Sequence, residues 1–84
     1  MMKVRVKFFA ILRERAGAAE ISKEISDGST VAQLWESLQK DHPKLAGPTF
    51  RLLYAVNQNY VTPEQVLKDG DEVAIIPPVS GGLS

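Results

Sequence analysis

One stretch of this chain alone repeats its apolar side chains at a helical spacing. Val31, Leu34, Trp35 and Leu38 fall at i, i+3, i+4 and i+7, which lines them along one side of a helix. Thr30-Val31-Ala32-Gln33 carries the hydroxyl and amide of a capping box at its start. His42-Pro43 stops it, because a proline disfavours helical geometry at the residue before it. A lone amphipathic helix cannot bury its stripe unaided. The remaining residues must therefore supply a sheet that covers it.

They do so with period-2 patterns. Val4, Val6 and Phe8 alternate with Lys3, Arg5 and Lys7, giving a strand with one buried and one wet face. Beyond Gly17, Ile21 and Ile25 share one side while Glu20, Ser22 and Glu24 share the other. The second strand laid antiparallel on the first sets its glutamates opposite Lys3, Arg5 and Lys7. That pairing is favoured over a basic ligand-binding stripe. After the Asp27-Gly28 turn and the helix, Leu52-Leu53-Tyr54-Ala55-Val56 reads as a third strand, Asn57-Gln58-Asn59 as a turn and Tyr60-Val61 as a short fourth strand. Val66 and Leu67 are expected to plug the core. Asp69-Gly70-Asp71 turns the chain into a fifth strand, Glu72 to Ile76, which Pro77-Pro78 ends. The order predicts an α+β fold: a mixed sheet of about five strands packed on one main helix, the β-grasp arrangement of ubiquitin. Residues 1–78 form the domain and residues 79–84 a flexible tail.

Several function classes are disfavoured. A chain of 84 residues with ten basic and ten acidic side chains has no net charge to attract nucleic acid. It has no cysteine, hence no catalytic thiol, disulfide or thiolate metal site. No apolar run approaches the roughly 20 residues of a membrane span, and Met1 to Arg5 lack a secretory h-region, so a cytoplasmic location is expected. Trp35 reads as core packing and His42 as a helix-end residue. No metal or bound cofactor is expected.

Strand parity singles out three residues. Phe9 is out of phase with Val4, Val6 and Phe8, Tyr60 with Val61, and Ile76 with Val73 and Ile75. All three are expected to point away from the helix, where large apolar side chains suit a partner-binding surface.

Three segments carry a family resemblance: Phe8-Phe9-Ala10-Ile11-Leu12-Arg13-Glu14, then Leu53-Tyr54-Ala55-Val56-Asn57-Gln58, then Asp69-Gly70-Asp71-Glu72-Val73-Ala74-Ile75-Ile76-Pro77-Pro78-Val79-Ser80-Gly81-Gly82. With their spacing, they resemble the small, sulfur-carrying subunit of molybdopterin synthase over essentially the whole chain. The thiamine-pathway sulfur carriers share the glycines and the Asp-Gly-Asp turn, but are usually shorter and lack the Phe-Phe-Ala segment and the Pro-Pro pair. The resemblance implies that a ubiquitin-activating-like enzyme, using ATP and magnesium, adenylates the terminal glycine, and that sulfur then displaces AMP to leave a thiocarboxylate. It also implies a large synthase subunit, in a heterotetramer, that receives the tail and passes the sulfur to a cyclic pyranopterin precursor to form molybdopterin. The chain would be a non-catalytic, sulfur-donating subunit. Carried onto this sequence, Gly82 is the reactive end and Gly81 its neighbour, while Phe9, Tyr60, Ile76, Pro77, Pro78 and Val79 meet the partner. Glycines let a tail thread a narrow channel, and the two prolines stiffen its base. The alternatives are a thiamine-pathway-type sulfur carrier, a ubiquitin-like modifier of lysines and a plain β-grasp interaction domain.

One departure bears on the chemistry. Family members normally end on the second glycine, whereas here Leu83 and Ser84 follow. An internal amide has no carboxylate to attack ATP, so activation at Gly82 requires that these two residues be absent or trimmed.

Overall fold

The computed structural model describes residues 1–46 and 52–77. Strand β1 (Met2–Phe8) leads into a short helix α1 (Ile11–Ala16), followed by β2 (Glu20–Ile25) and the main helix α2 (Val31–Asp41). A 3-10 turn at Pro43–Leu45 precedes β3 (Leu53–Val56), β4 (Asn59–Val61) and β5 (Glu72–Ile76). The five strands form one sheet in the order β2-β1-β5-β3-β4. β1 and β5 run parallel and every other pair is antiparallel, so the sheet is mixed. This is the expected β-grasp arrangement.

The alternation in β1 decides which way the sheet faces. Val4 and Val6 are fully buried and Phe8 nearly so, and in register they meet Ile21 on β2 and Val73 and Ile75 on β5. Val31, Leu34 and Leu38 of α2 close over this inner face, with Trp35 half-buried at the margin. Each such aliphatic side chain contributes about 1.5–3 kcal/mol by leaving water.

Helix α2 begins as its sequence predicts. The Thr30 hydroxyl accepts from the Gln33 backbone N–H at 3.2 Å, and the Gln33 side-chain oxygen accepts from the Thr30 N–H at 2.9 Å. The next two orphan donors are satisfied from a distance: Val31 N–H donates to the Gln65 carbonyl at 3.0 Å and Ala32 N–H to the Pro63 carbonyl at 2.9 Å. The β4–β5 connection is thereby fastened to the start of the helix. Leu67 enters the core from that connection, but Val66 does not. Val66 sits opposite Thr30 in an isolated antiparallel bridge and stays about half exposed, because successive residues of an extended segment face opposite ways.

Helix α1 is an addition to the expected elements. Its six residues bury one side chain completely, Leu12, and Gly17 closes it in the left-handed conformation (φ 78°) with its N–H on the Arg13 carbonyl.

At its far end, α2 carries Asp41, whose negative charge lies at the negative end of the helix dipole. Lys23 of β2 reaches across and donates a hydrogen bond to this carboxylate. That bond, with the Lys23 charge and a smaller contribution from His42, holds Asp41 below its ordinary carboxylate value.

Two outcomes test these contacts. Thr30→Ala removes the hydroxyl acceptor and should lower unfolding free energy by about 1 kcal/mol, read as a lower urea midpoint at unchanged slope. Because Asp41 titrates lower when folded, its ionised form favours the native state. That contribution is complete above the ordinary value of 3.8 and fades as pH falls through the lower folded value. The melting-temperature gap between the parent and Asp41→Asn should therefore be open near neutral pH and close in acid.

Candidate functional site

The face of the sheet turned away from α2 divides into two halves. On β2 and β1 it is charged. Lys3 pairs with Glu24 and Lys7 with Glu20 in register, and Arg5 reaches Glu20 at 3.7 Å. Glu72 of β5 binds both neighbours, Arg5 through one oxygen at 3.0 Å and Lys7 through the other at 3.1 Å. Arg5 and Lys7 thus meet carboxylates on both sides, and Lys3 faces one on β2. Glu72 is the partner that reading the first two strands alone does not supply.

Beyond Glu72, on β5, β3 and β4, the same face is apolar. The register sets Ala74 beside Lys7, Ala55 opposite Ala74 and Tyr60 opposite Ala55, one continuous row across four strands. The two alanine methyls leave a hollow of about 300 Å³, with Phe9, Tyr60 and Ile76 around it and Lys7, Gln58 and Glu72 on its polar side. The three residues singled out by parity therefore surround one depression. Phe9 is 43% and Tyr60 73% exposed. Leu53, directly opposite Ile76 and half exposed, extends the apolar area. Leu53 and Ala55 share a parity along β3, a signal present in the sequence that the parity argument for Phe9, Tyr60 and Ile76 leaves out.

Both flanks of the hollow are fixed by turns. Asn57 and Gln58 form the β3–β4 turn in left-handed conformations (φ 51° and 72°), which suits a two-residue hairpin. The Asn57 amide donates to Asp71 at 3.0 Å and its oxygen accepts the Glu72 N–H at 3.1 Å. Asp71 also accepts from the Lys68 N–H, and Asp69 from the Lys3 N–H, each at 2.8 Å. The Asp69-Gly70-Asp71 segment is thus a clamp that ties the β3–β4 hairpin, β5 and β1 together.

Pro77, expected among the partner contacts, is buried within the chain immediately after β5 and does not line the hollow, whereas its neighbour Ile76 does. Pro78, Val79, Gly81 and Gly82 lie outside the described residues, as does the whole tail at 79–84. Among the described residues, no group of three or more His, Cys, Asp or Glu side chains is placed to hold a metal ion. No helix among the described residues is long and apolar enough to cross a membrane. What the hollow offers is contact: apolar area with one charged margin. Burial raises Tyr54 above the usual phenol value, but Tyr54 lies on the helix side of β3, away from the hollow.

Comparison with known proteins fits this geometry. Residues 6–82 match the ThiS family. The molybdopterin synthase sulfur carrier subunit of Chlamydomonas reinhardtii is 45% identical over 83 residues, covering 96% of this chain and all of that protein. A putative molybdopterin converting factor subunit 1 from Pyrococcus furiosus superposes with a TM-score of 0.82 at 38% identity, covering 94% of this chain and all of that one. The fold also recurs in a complex of subunits 1 and 2 of molybdopterin-converting factor from Helicobacter pylori, with a TM-score of 0.67 at 23% identity over 96% of this chain and all of that one. Matched along nearly its whole length in sequence and in fold, the chain belongs to the ThiS family, alongside the molybdopterin synthase sulfur carrier subunits.

Proposed function

We propose that this chain carries sulfur on its C-terminal glycine for the assembly of molybdopterin. The apolar hollow on an otherwise charged sheet face carries the reading, since it lies at the root of the tail that must enter a partner. Phe9, Tyr60 and Ile76 dock the large synthase subunit, and Pro78 and Val79, next along the chain after Pro77, meet the same partner. The relatives named as sulfur carrier subunits support this assignment, and the subunit 1 and 2 complex is a precedent for such a pairing in another protein.

The chemistry needs an acid at Gly82. Its carboxylate attacks the α-phosphorus of ATP, held with magnesium by a separate adenylating enzyme, and pyrophosphate leaves. A sulfide equivalent then attacks the acyl carbon and AMP leaves, giving the thiocarboxylate. Seated in the large subunit, that sulfur attacks the pterin precursor, and water then cleaves its bond to the acyl carbon, leaving the sulfur on the pterin and returning Gly82 to a carboxylate. This chain supplies the carrier atom and the docking surface but no acid, base or nucleophilic side chain.

Two measurements test the reading. With the adenylating enzyme, residues 1–82 should form an acyl adenylate and residues 1–84 should not. Equal adenylation of both would place the reactive end elsewhere. In titration calorimetry with the large subunit, Phe9→Ala and Ile76→Ala should each weaken binding by more than about 1 kcal/mol. Exposed Phe9 should do so with little change in melting temperature; unfolding on Phe9→Ala would instead make it a core residue.

A further inference from the structure

The backbone at Ala10 has φ 54° and ψ −128°, a combination that glycine adopts readily and alanine rarely. Leu12 N–H donates to the Phe9 carbonyl at 3.1 Å, which closes a type II′ turn with Ala10 at its first central position. Glycine is the usual residue there. We propose that Ala10 is a positioning residue for the docking face, its methyl group confining the turn that aims Phe9 beside Ile76 and Tyr60. The inference rests on the reading of that face as the surface that meets the large subunit.

The residues on either side of the turn are fixed. Phe8 is almost wholly buried and its N–H donates to the Ala19 carbonyl at 2.9 Å, while Leu12 is fully buried. Phe9, Ala10 and Ile11 bridge these anchors and are themselves exposed. The Ala10 methyl therefore brings no burial that would offset its unfavourable backbone, so stability alone favours glycine. Confinement is what the methyl adds. For an alanine held at positive φ by two buried anchors the accessible well is narrow, whereas glycine moves over a broad basin on both sides of φ = 0. Among the described residues Phe9 belongs neither to the core nor to the side chains packed against it, so the place of its ring over the hollow depends on this backbone. A pre-aimed ring loses less freedom on docking, and that saving appears as affinity.

Glycine and D-alanine separate confinement from strain. D-alanine at position 10 retains a methyl and finds this backbone relaxed, since its mirror image is the extended conformation of an ordinary residue. Three full-length variants, Ala10→Gly, Phe9→Ala and a synthetic chain with D-alanine at position 10, would be compared with the parent by thermal melting and by calorimetry with the large subunit. Ala10→Gly should melt at or above the parent temperature yet bind about two- to tenfold more weakly, the span expected for one newly mobile side chain. The D-alanine chain should melt higher and bind at least as tightly as the parent. If Ala10→Gly binds like the parent while Phe9→Ala binds weakly, Ala10 positions nothing and the docking surface stands. If Phe9→Ala itself binds like the parent, the docking surface is misassigned. A lower melting temperature for Ala10→Gly, or weak binding by the D-alanine chain, also overturns the proposal.

Discussion

Everything in this fold depends on the parallel pairing of β1 with β5. It joins residues 67 positions apart, as in the Arg5–Glu72 contact, and closing a chain over that distance costs of order 4 kcal/mol in entropy. Val6, Phe8, Val73 and Ile75 meet across the pair, and at about 1.5–3 kcal/mol for each buried side chain they outweigh it. Because the strands run the same way, the last residue of each register pair, Phe8 and Ile75, lies at the same end of the sheet. Phe9 and Ile76 follow directly. The proposed docking face and the root of the tail are thus products of one pairing, and an antiparallel arrangement of the same strands would separate them.

The charged half of the outer face has a different role. Exposed ion pairs such as Arg5–Glu20 contribute no more than about 1 kcal/mol, and less in salt. Their larger effect is to bound the apolar half. Glu72, with both oxygens engaged, stands at the boundary between the two. A partner that buries the hollow therefore meets an edge where further spreading would require stripping water from paired charges.

Much of this was legible in the residues. Alternation in β1 and β5 fixed which side chains turn inward, the Thr30–Gln33 capping box fixed the start of α2, and parity alone brought Phe9, Tyr60 and Ile76 to one face. Where the reading fell short, the missing information is not local. Helix α1 is too short for its spacing to repeat and is held through Leu12 by the core. Val66 follows no periodic pattern, and its exposure is decided by Leu67 taking the inward position. The hollow exists because Ala55 and Ala74 come into register across two strands, which no single segment discloses. At Ala10 an ordinary residue type conceals an unusual backbone. The tail from Pro78 onward is read from sequence and chemistry alone.

Among the described residues the sheet leaves two open edges, β2 and β4, and each is a template on which another chain could add a strand. β4 has three residues, too few for a stable ladder. β2 has six, and there the distribution of charge matters. A second copy laid antiparallel along it, centred on Ser22, would set Glu20 of each chain against Glu24 of the other. A shift of one residue in that centre, to Lys23, would bring two lysines face to face. The same charged residues that match β1 and α2 within the molecule thus resist growth of the sheet from one molecule to the next.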